Sequence, residues 1–444
     1  MSSTPHVVVL GGGLSGLSAA FHLQEAAALY ERESDVGGLC RSRTLNGFTF
    51  DHVGHLLHFR HPETLGLLRD TLGLDLVHHE RSAWIYSKAT FTKYPFQANA
   101  YGLPVEIIKE CLLGLATRPP SPAAPPAHFE EWILRTFGEG IARHFMIPYN
   151  EKFWMMPPSE LTCDWLDGYV PVPTFEEALE GALTDSRRLL GYNAHFWYPR
   201  QGGIQALAEA LARRIPHLHL GLSATRIDLR RRRVTFAGDL EAPYERLLSS
   251  IPLPALRPLL DPLPSDVADA FARLRYTSVY VLNVGVAREH ISDKHWVYYP
   301  EPELSFFRVG FPTNFSSAVA PPGHSSLYAE VSHGPARPVD PQTIATRIRR
   351  DLVRVGILRE DDRIVLQEAF NIPYAYVVFD RHHAASTAHI ADFLERHGVT
   401  GIGRYGRWRY LSMEDAILDG RRAAHALRTS PPTNDDAPAV TRGP

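Results

Sequence analysis

The chain has 444 residues, 44% of them apolar, with a formal charge of −3 and a pI near 6.7. That balance gives no bulk attraction for nucleic acid or anionic lipid, so any anion it binds must be held by a local arginine cluster. Three cysteines with no CxxC pair (Cys40, Cys111, Cys163) argue against a disulfide scaffold or a zinc–thiolate site and fit a reducing, cytoplasmic compartment.

No run of 18 apolar residues occurs, so no transmembrane helix is expected. No basic stretch precedes VVVLGGG, so no signal peptide is expected either. Residues 6–10 (HVVVL) read as a buried parallel strand. Gly11, Gly13 and Gly16 then form G-x-G-x-x-G, with Leu14 and Ser15 between them, and Leu17, Ala19, Ala20 and Leu23 continue at helical spacing. The three glycines suit a tight turn, a close backbone approach to pyrophosphate, and close helix–strand packing. The helix N-terminus offers N–H groups to that anion. A second short strand, Ala28-Leu29-Tyr30, ends at Glu31, 20 residues after Gly11, where a carboxylate meets the ribose of an adenine dinucleotide. The stretch from Gly16 to Glu31 is short, which predicts a clipped first helix.

FTFDHV (48–53) reads as a strand, and FDHVGHLLHF puts His52, His55 and His58 three apart, with His61 at the same interval. A metal site is disfavoured there. Gly54 interrupts the run, and no cysteine or carboxylate pair completes a ligand set. Residues 91–194 read as helical, with a Pro-rich linker at 118–126. YPRQGGIQ (198–205) leads into a helix over 206–214, and Arg230–Arg233 reads as a solvated hairpin. Strands follow at 276–286 and 326–331, then a helix over 341–355. GIGRYGRWRY (401–410) leads into LSMEDA, which predicts a turn and a helix with acids in its first turn. Residues 429–444 read as a disordered tail.

The run ERESDVGGLCRS (31–42) resembles the second glycine motif of glutathione-reductase-like flavoproteins with amine-oxidase-type FAD domains. The resemblance implies an α/β fold: a Rossmann FAD domain with an inserted substrate domain of helices and antiparallel sheet. It implies FAD contacts at Gly11, Gly13, Leu14, Ser15, Gly16, Glu31, Arg32, Gly37, Gly38 and Leu39, and at the C-terminal segment through Gly403, Arg404, Met413, Glu414, Asp415 and Ala416.

Within that superfamily, the middle of the chain resembles the UDP-galactopyranose mutases. The segments are YPFQAN (94–99), PYNEKFW (148–154) with VPVP (170–173), YTSVYVLNVGV (276–286) with DKHWVYYP (293–300) and FFR (306–308), and GRYGRWRY. Such mutases interconvert sugar ring forms of a nucleotide sugar without net redox change, with reduced flavin N5 as the nucleophile and NADPH or NADH as a candidate electron donor. The resemblance puts His55 at the flavin beside Gly54, after Asp51, with His58 behind it and His52 and His61 structural or exposed. A histidine there would trade protons near neutral pH. Arg308 and Tyr410 fall where the family holds a diphosphate, Arg404 on the flavin side, and Tyr374 reads as a second clamp tyrosine.

Two positions depart from the mutase pattern. Its second phosphate arginine would fall at Tyr169 or Pro173, and a family asparagine is replaced by Glu414. Either Arg187, Arg188 or Arg200 substitutes, or the substrate is not a UDP-sugar. The alternative function is therefore an FAD-dependent oxidoreductase of the amine oxidase, protoporphyrinogen oxidase or desaturase type. The expected division is 1–90, 195–260 and 365–428 for FAD, and 91–194 and 261–364 for substrate.

Overall fold

The computed structural model describes residues 5–118, 124–166, 168–186, 190–191 and 193–429. Most of the expected linker, Arg187, Arg188 and all of the expected tail beyond Thr429 lie outside the described residues.

The fold is α/β and grows from a five-stranded parallel sheet. Val7–Leu10 is its middle strand, with Ala27–Tyr30 and then Leu218–His219 on one side, and Arg246–Ser249 and then Val399–Gly401 on the other. Strands covered on both faces need continuous apolar runs, and VVVL is wholly buried. The first helix, Leu14–Leu23, is ten residues long and stops at Gln24 (φ 53°), which fits the short spacing to Glu31. The last helix, Met413–Thr429, lies along it. Their approach depends on Gly420, where an added Cβ would come within 2.2 Å of the Ser15 carbonyl oxygen.

A second sheet has seven strands, in the order Ile364–Val377, Tyr276–Val286, Ser325–His333, Arg308–Gly310, Trp296–Tyr298, Ala83–Ser87 and Thr90–Lys93. Its pairs are antiparallel except Trp296–Tyr298 with Ala83–Ser87. Ala83–Ser87 pairs with Trp296–Tyr298, and Ile364–Val377 pairs with Tyr276–Val286, so both strands lie in this sheet. Helices Val105–Ala116, Phe129–Ile141, Ile147–Trp154 and Phe175–Leu183 fill the 91–194 insert, the last opened by a Thr174/Glu177 capping box. The helices expected at 206–214 and 341–355 run over Gln205–Ala212 and Pro341–Arg354. Arg230, Arg231 and Arg232 form the exposed turn between Ala224–Asp228 and Arg233–Phe236, with Asp228 Oδ1 accepting the N–H groups of Arg230 and Arg231. Among the described residues no helix is long and apolar enough to cross a membrane.

Candidate active site

At the end of the first strand, Gly11 adopts φ +99°, and a Cβ there would meet the Ser250 hydroxyl at 2.3 Å. Gly13 has open space where a Cβ would stand. The helix that starts after Gly13, carrying Leu14, Ser15 and Gly16, has no side-chain cap and no acid in its first turn, so its N–H groups are available to an anion. The second glycine turn packs directly on the first. Gly37 N–H donates to the Gly12 carbonyl (2.8 Å), and a Cβ on Gly38 would lie 3.2 Å from Gly13 Cα. Glu31 is buried at the end of the second strand and accepts the N–H groups of Gly12 (2.6 Å) and Glu33 (2.9 Å). Leu39 packs on the same core, while Arg32 points outward and pairs with Glu33 at 3.0 Å. This cradle fits the pyrophosphate and ribose of a dinucleotide, from the chemistry of its donors and the open space at Gly13.

The strand Phe48–Asp51 delivers the histidine segment. Asp51 accepts from the Ser42 hydroxyl (2.6 Å), the Tyr198 hydroxyl (2.8 Å) and the Ile204 N–H (3.1 Å). Burial raises its carboxyl to about 6 against those three donors. Gly203 (φ +65°) packs on this group, where a Cβ would meet the Ser42 hydroxyl at 2.4 Å and Asp51 Oδ1 at 2.7 Å. His55 Nδ1 faces the Val53 carbonyl at 3.1 Å. Burial, and then the positive charges of Arg308 and Arg404, push its imidazole down to about 3 against that carbonyl. That direction runs against the expected proton trading near neutral pH: the ring is held neutral, with Arg308 and Arg404 as the cations whose charge it feels. His58 faces the His195 carbonyl (2.9 Å), His52 stacks on Phe370 (ring centroids 4.3 Å), and the His61 N–H donates to Glu414. Among the described residues no three His, Cys, Asp or Glu side chains form a group that could hold a metal ion.

Arg404 sits among the rings of Tyr410, Tyr376 and Tyr405, at 4.6, 5.4 and 5.8 Å. Its Nη1 donates to the Leu411 carbonyl (3.3 Å), while Nε and Nη2 are buried without a partner. Two orphaned donors beside His55 fit the polar edge of a flavin ring or an anion. Gly403 adopts φ +70° against Ser15, and its N–H donates to Asp419 of the last helix.

Arg308 forms a two-point pair with Glu330, Nε to Oε2 at 2.5 Å and Nη2 to Oε1 at 2.8 Å. Burial works against its charge, and the Glu330 carboxylate overcomes that and holds it firmly protonated. Tyr94 and Tyr149 pack on Tyr298, at 5.4 and 5.5 Å.

Several expectations change here. Tyr374 does not join Arg308: its ring packs on Tyr276 (4.7 Å) and Trp408, and Arg32 is the cation beside it. Tyr376 joins instead, packed on Phe153 (4.3 Å) and sensing the charges of Arg308 and Arg404. Arg200 is an exposed partner of Asp75 and does not replace a clamp arginine. Glu414 accepts the N–H groups of Arg60 (2.8 Å) and His61 (3.0 Å), and Asp415 accepts from Ser412 and the Arg60 guanidinium (2.5 Å). Their carboxylates thus tie down the histidine segment. Ser412 takes the N–H groups of Asp415 and Ala416, which leaves those of Met413 and Glu414 at this helix end, with the Met413 and Ala416 side chains packed on the core. Tyr169, one of the two places expected for the arginine, lies edge-on to Tyr410 (4.7 Å) with its hydroxyl 3.4 Å from Asp415. Reading the sequence missed Glu330. The available signal was a lone carboxylate inside the apolar run SSLYAEVSH.

Residues 14–428 match the family model described as flavin-containing amine oxidoreductase. The chain belongs to the flavin-containing amine oxidoreductase family. Within it, the chain is similar over 96% of its length to a reduced UDP-galactopyranose mutase, at 28% identity and TM-score 0.91, covering 96% of that protein too. A redesigned putrescine oxidase shares the fold at 17% identity and TM-score 0.69, covering 96% of this chain and 99% of that one. A 51-residue segment is 39% identical to 4,4'-diaponeurosporene oxygenase of Staphylococcus aureus (strain USA300). That match spans 11% of this chain and only 10% of the oxygenase. The family is flavin-containing. The paired glycine turns and Glu31 fit the dinucleotide form, FAD.

Proposed function

We propose that this flavoenzyme is a mutase-like isomerase of a nucleotide sugar, interconverting pyranose and furanose forms without net redox change. The observation that carries the reading is a pair of buried guanidiniums acting on the histidine segment: Arg404, with two unpartnered donors among the rings of Tyr376 and Tyr410, and Arg308, tied through Glu330 to the Gly54 N–H. The full-length likeness to a reduced UDP-galactopyranose mutase supports it. When bound and reduced, FAD supplies a nucleophilic nitrogen and an electron reservoir, with NADPH or NADH as donor.

The chain's own residues then have these roles. Gly11, Gly13, Leu14, Ser15, Gly16, Gly37, Gly38 and Leu39 hold the pyrophosphate, and Glu31 with Arg32 the adenosine side. Gly54, Gly403, Arg404 and the backbone of Met413, Glu414, Asp415 and Ala416 line the ring. His55, neutral at physiological pH, orients a ring polar atom by hydrogen bonding. The open edge of Arg308 and the hydroxyls of Tyr376 and Tyr410 hold the leaving diphosphate, and stacked aromatics exclude water. Tyr374 keeps a packing role. We assign the flavin-holding part to the segments feeding the parallel sheet, about 1–82, 195–260 and 378–428, and the substrate-facing part to the rest.

One observation favours the redox alternative: neither Tyr169 nor Pro173 is the arginine the resemblance calls for, and Glu330 compensates Arg308. The discriminating experiment incubates dithionite-reduced enzyme anaerobically with UDP-galactofuranose. Product formation with the flavin still reduced is the expected result. Stoichiometric flavin reoxidation, or no conversion, supports the oxidoreductase.

A further inference from the structure

Glu330 has no exposed surface, yet it stands in the middle of a strand whose neighbours are Ala329 and Val331. A carboxylate withdrawn from water is costly unless matched. Its match is Arg308, taken by two oxygens, and Oε1 also accepts the Gly54 N–H at 3.3 Å. Tyr328, two residues earlier, fills the space beside it. A Cβ on Gly54 or Gly310 would meet the Tyr328 hydroxyl at 2.1 or 2.2 Å. One strand therefore fixes the shape of the histidine segment with a ring and the charge beside it with a carboxylate. Tyr149 and Tyr376, both packed on Phe153, feel the Glu330 and Arg308 charges. Arg404, the other cation facing His55, has tyrosine rings around it in place of a carboxylate.

We propose that Glu330 is a charge restraint on the site. It occupies the Nε/Nη2 edge of Arg308, leaves Nη1 for a ligand, and lowers the positive potential that an anion or a reduced flavin meets beside His55. It is a positioning residue, acting through Arg308. This sets the sign of an unusual effect: removing the carboxylate's charge strengthens anion binding, whereas loss of a merely structural partner weakens it.

The test uses flavin-loaded wild type, Glu330→Gln and Glu330→Asp. Glu330→Gln keeps the shape and loses the charge. Glu330→Asp keeps the charge and draws it back from the guanidinium. The readouts are the flavin midpoint potential against a reference dye and UDP binding by calorimetry. The expected result is a midpoint potential moved positive and UDP bound roughly tenfold tighter in Glu330→Gln, about 1.4 kcal/mol. Glu330→Asp shows the same signs with smaller size, and decides the matter if the glutamine variant does not hold flavin. A potential unchanged or moved negative in both variants overturns the proposal. The choice of UDP rests on the nucleotide-sugar reading. A positive potential shift with no UDP binding in any form supports the restraint and sinks that reading instead.

Discussion

At the scale of single residues, the site is a contest between burial and charge. His55 is held neutral by desolvation and then by the charges of Arg308 and Arg404, and its imidazole falls to about 3. Its ionisation therefore lies far below neutrality, and kcat/KM is predicted to show no imidazole step between pH 5 and 8. An apparent pKa near 6.5 that disappears in His55→Gln would contradict this placement. Arg308→Ala removes a charge-assisted donor from the diphosphate side, a loss of about 1.5–3 kcal/mol, so KM should rise roughly 10- to 150-fold with flavin content unchanged. Loss of flavin in Arg308→Ala/Glu330→Gln, which leaves no unpaired buried carboxylate, would place Arg308 on the cofactor instead. Tyr376→Phe should weaken UDP binding while Tyr374→Phe leaves it unchanged; titration of both variants checks the reassignment.

That reassignment shows why individual positions are harder to read than patterns. Tyr374 and Tyr376 are two apart in NIPYAY, and strand alternation gives no reason to prefer one. The register decides. Thr277 pairs with Tyr376 and Val279 with Ile372, so extra residues bulge out between them and re-aim the side chains. Sequence carries little sign of such a bulge.

At the scale of elements, local patterns read well because local physics dictates them. The glycine turns, the VVVL strand and the long strand Tyr276–Val286 stand where their spacing puts them. Segment membership was less legible. Ala83–Ser87 joins Trp296–Tyr298 across more than two hundred residues of chain, and only long-range pairing settles that. The strand Phe48–Asp51 carries the clearest stability prediction. Asp51 has a folded pKa of about 6, above its usual value of 3.8. The folded state therefore holds the proton more tightly, so stability from this group is present at low pH and lost as pH rises from about 4 to about 6. The loss is at most about 3 kcal/mol. Thermal melts should show wild type losing stability over that window relative to Asp51→Asn. Parallel profiles would mean that the three donors fully offset burial.

At the scale of the molecule, a parallel sheet holds a dinucleotide cradle and a seven-stranded sheet reaches over it. The last helix ties the histidine segment to the parallel sheet's end: Asp419 anchors Gly403, while Glu414 and Asp415 anchor Arg60 after the histidines. The proposed function needs a flavin bound beside His55. The direct measurement is the visible spectrum of the purified chain, with the cofactor released on unfolding and identified. The prediction is a yellow protein carrying one FAD per chain, with Gly13→Val colourless though folded. A colourless wild type that takes up no added FAD would contradict the account.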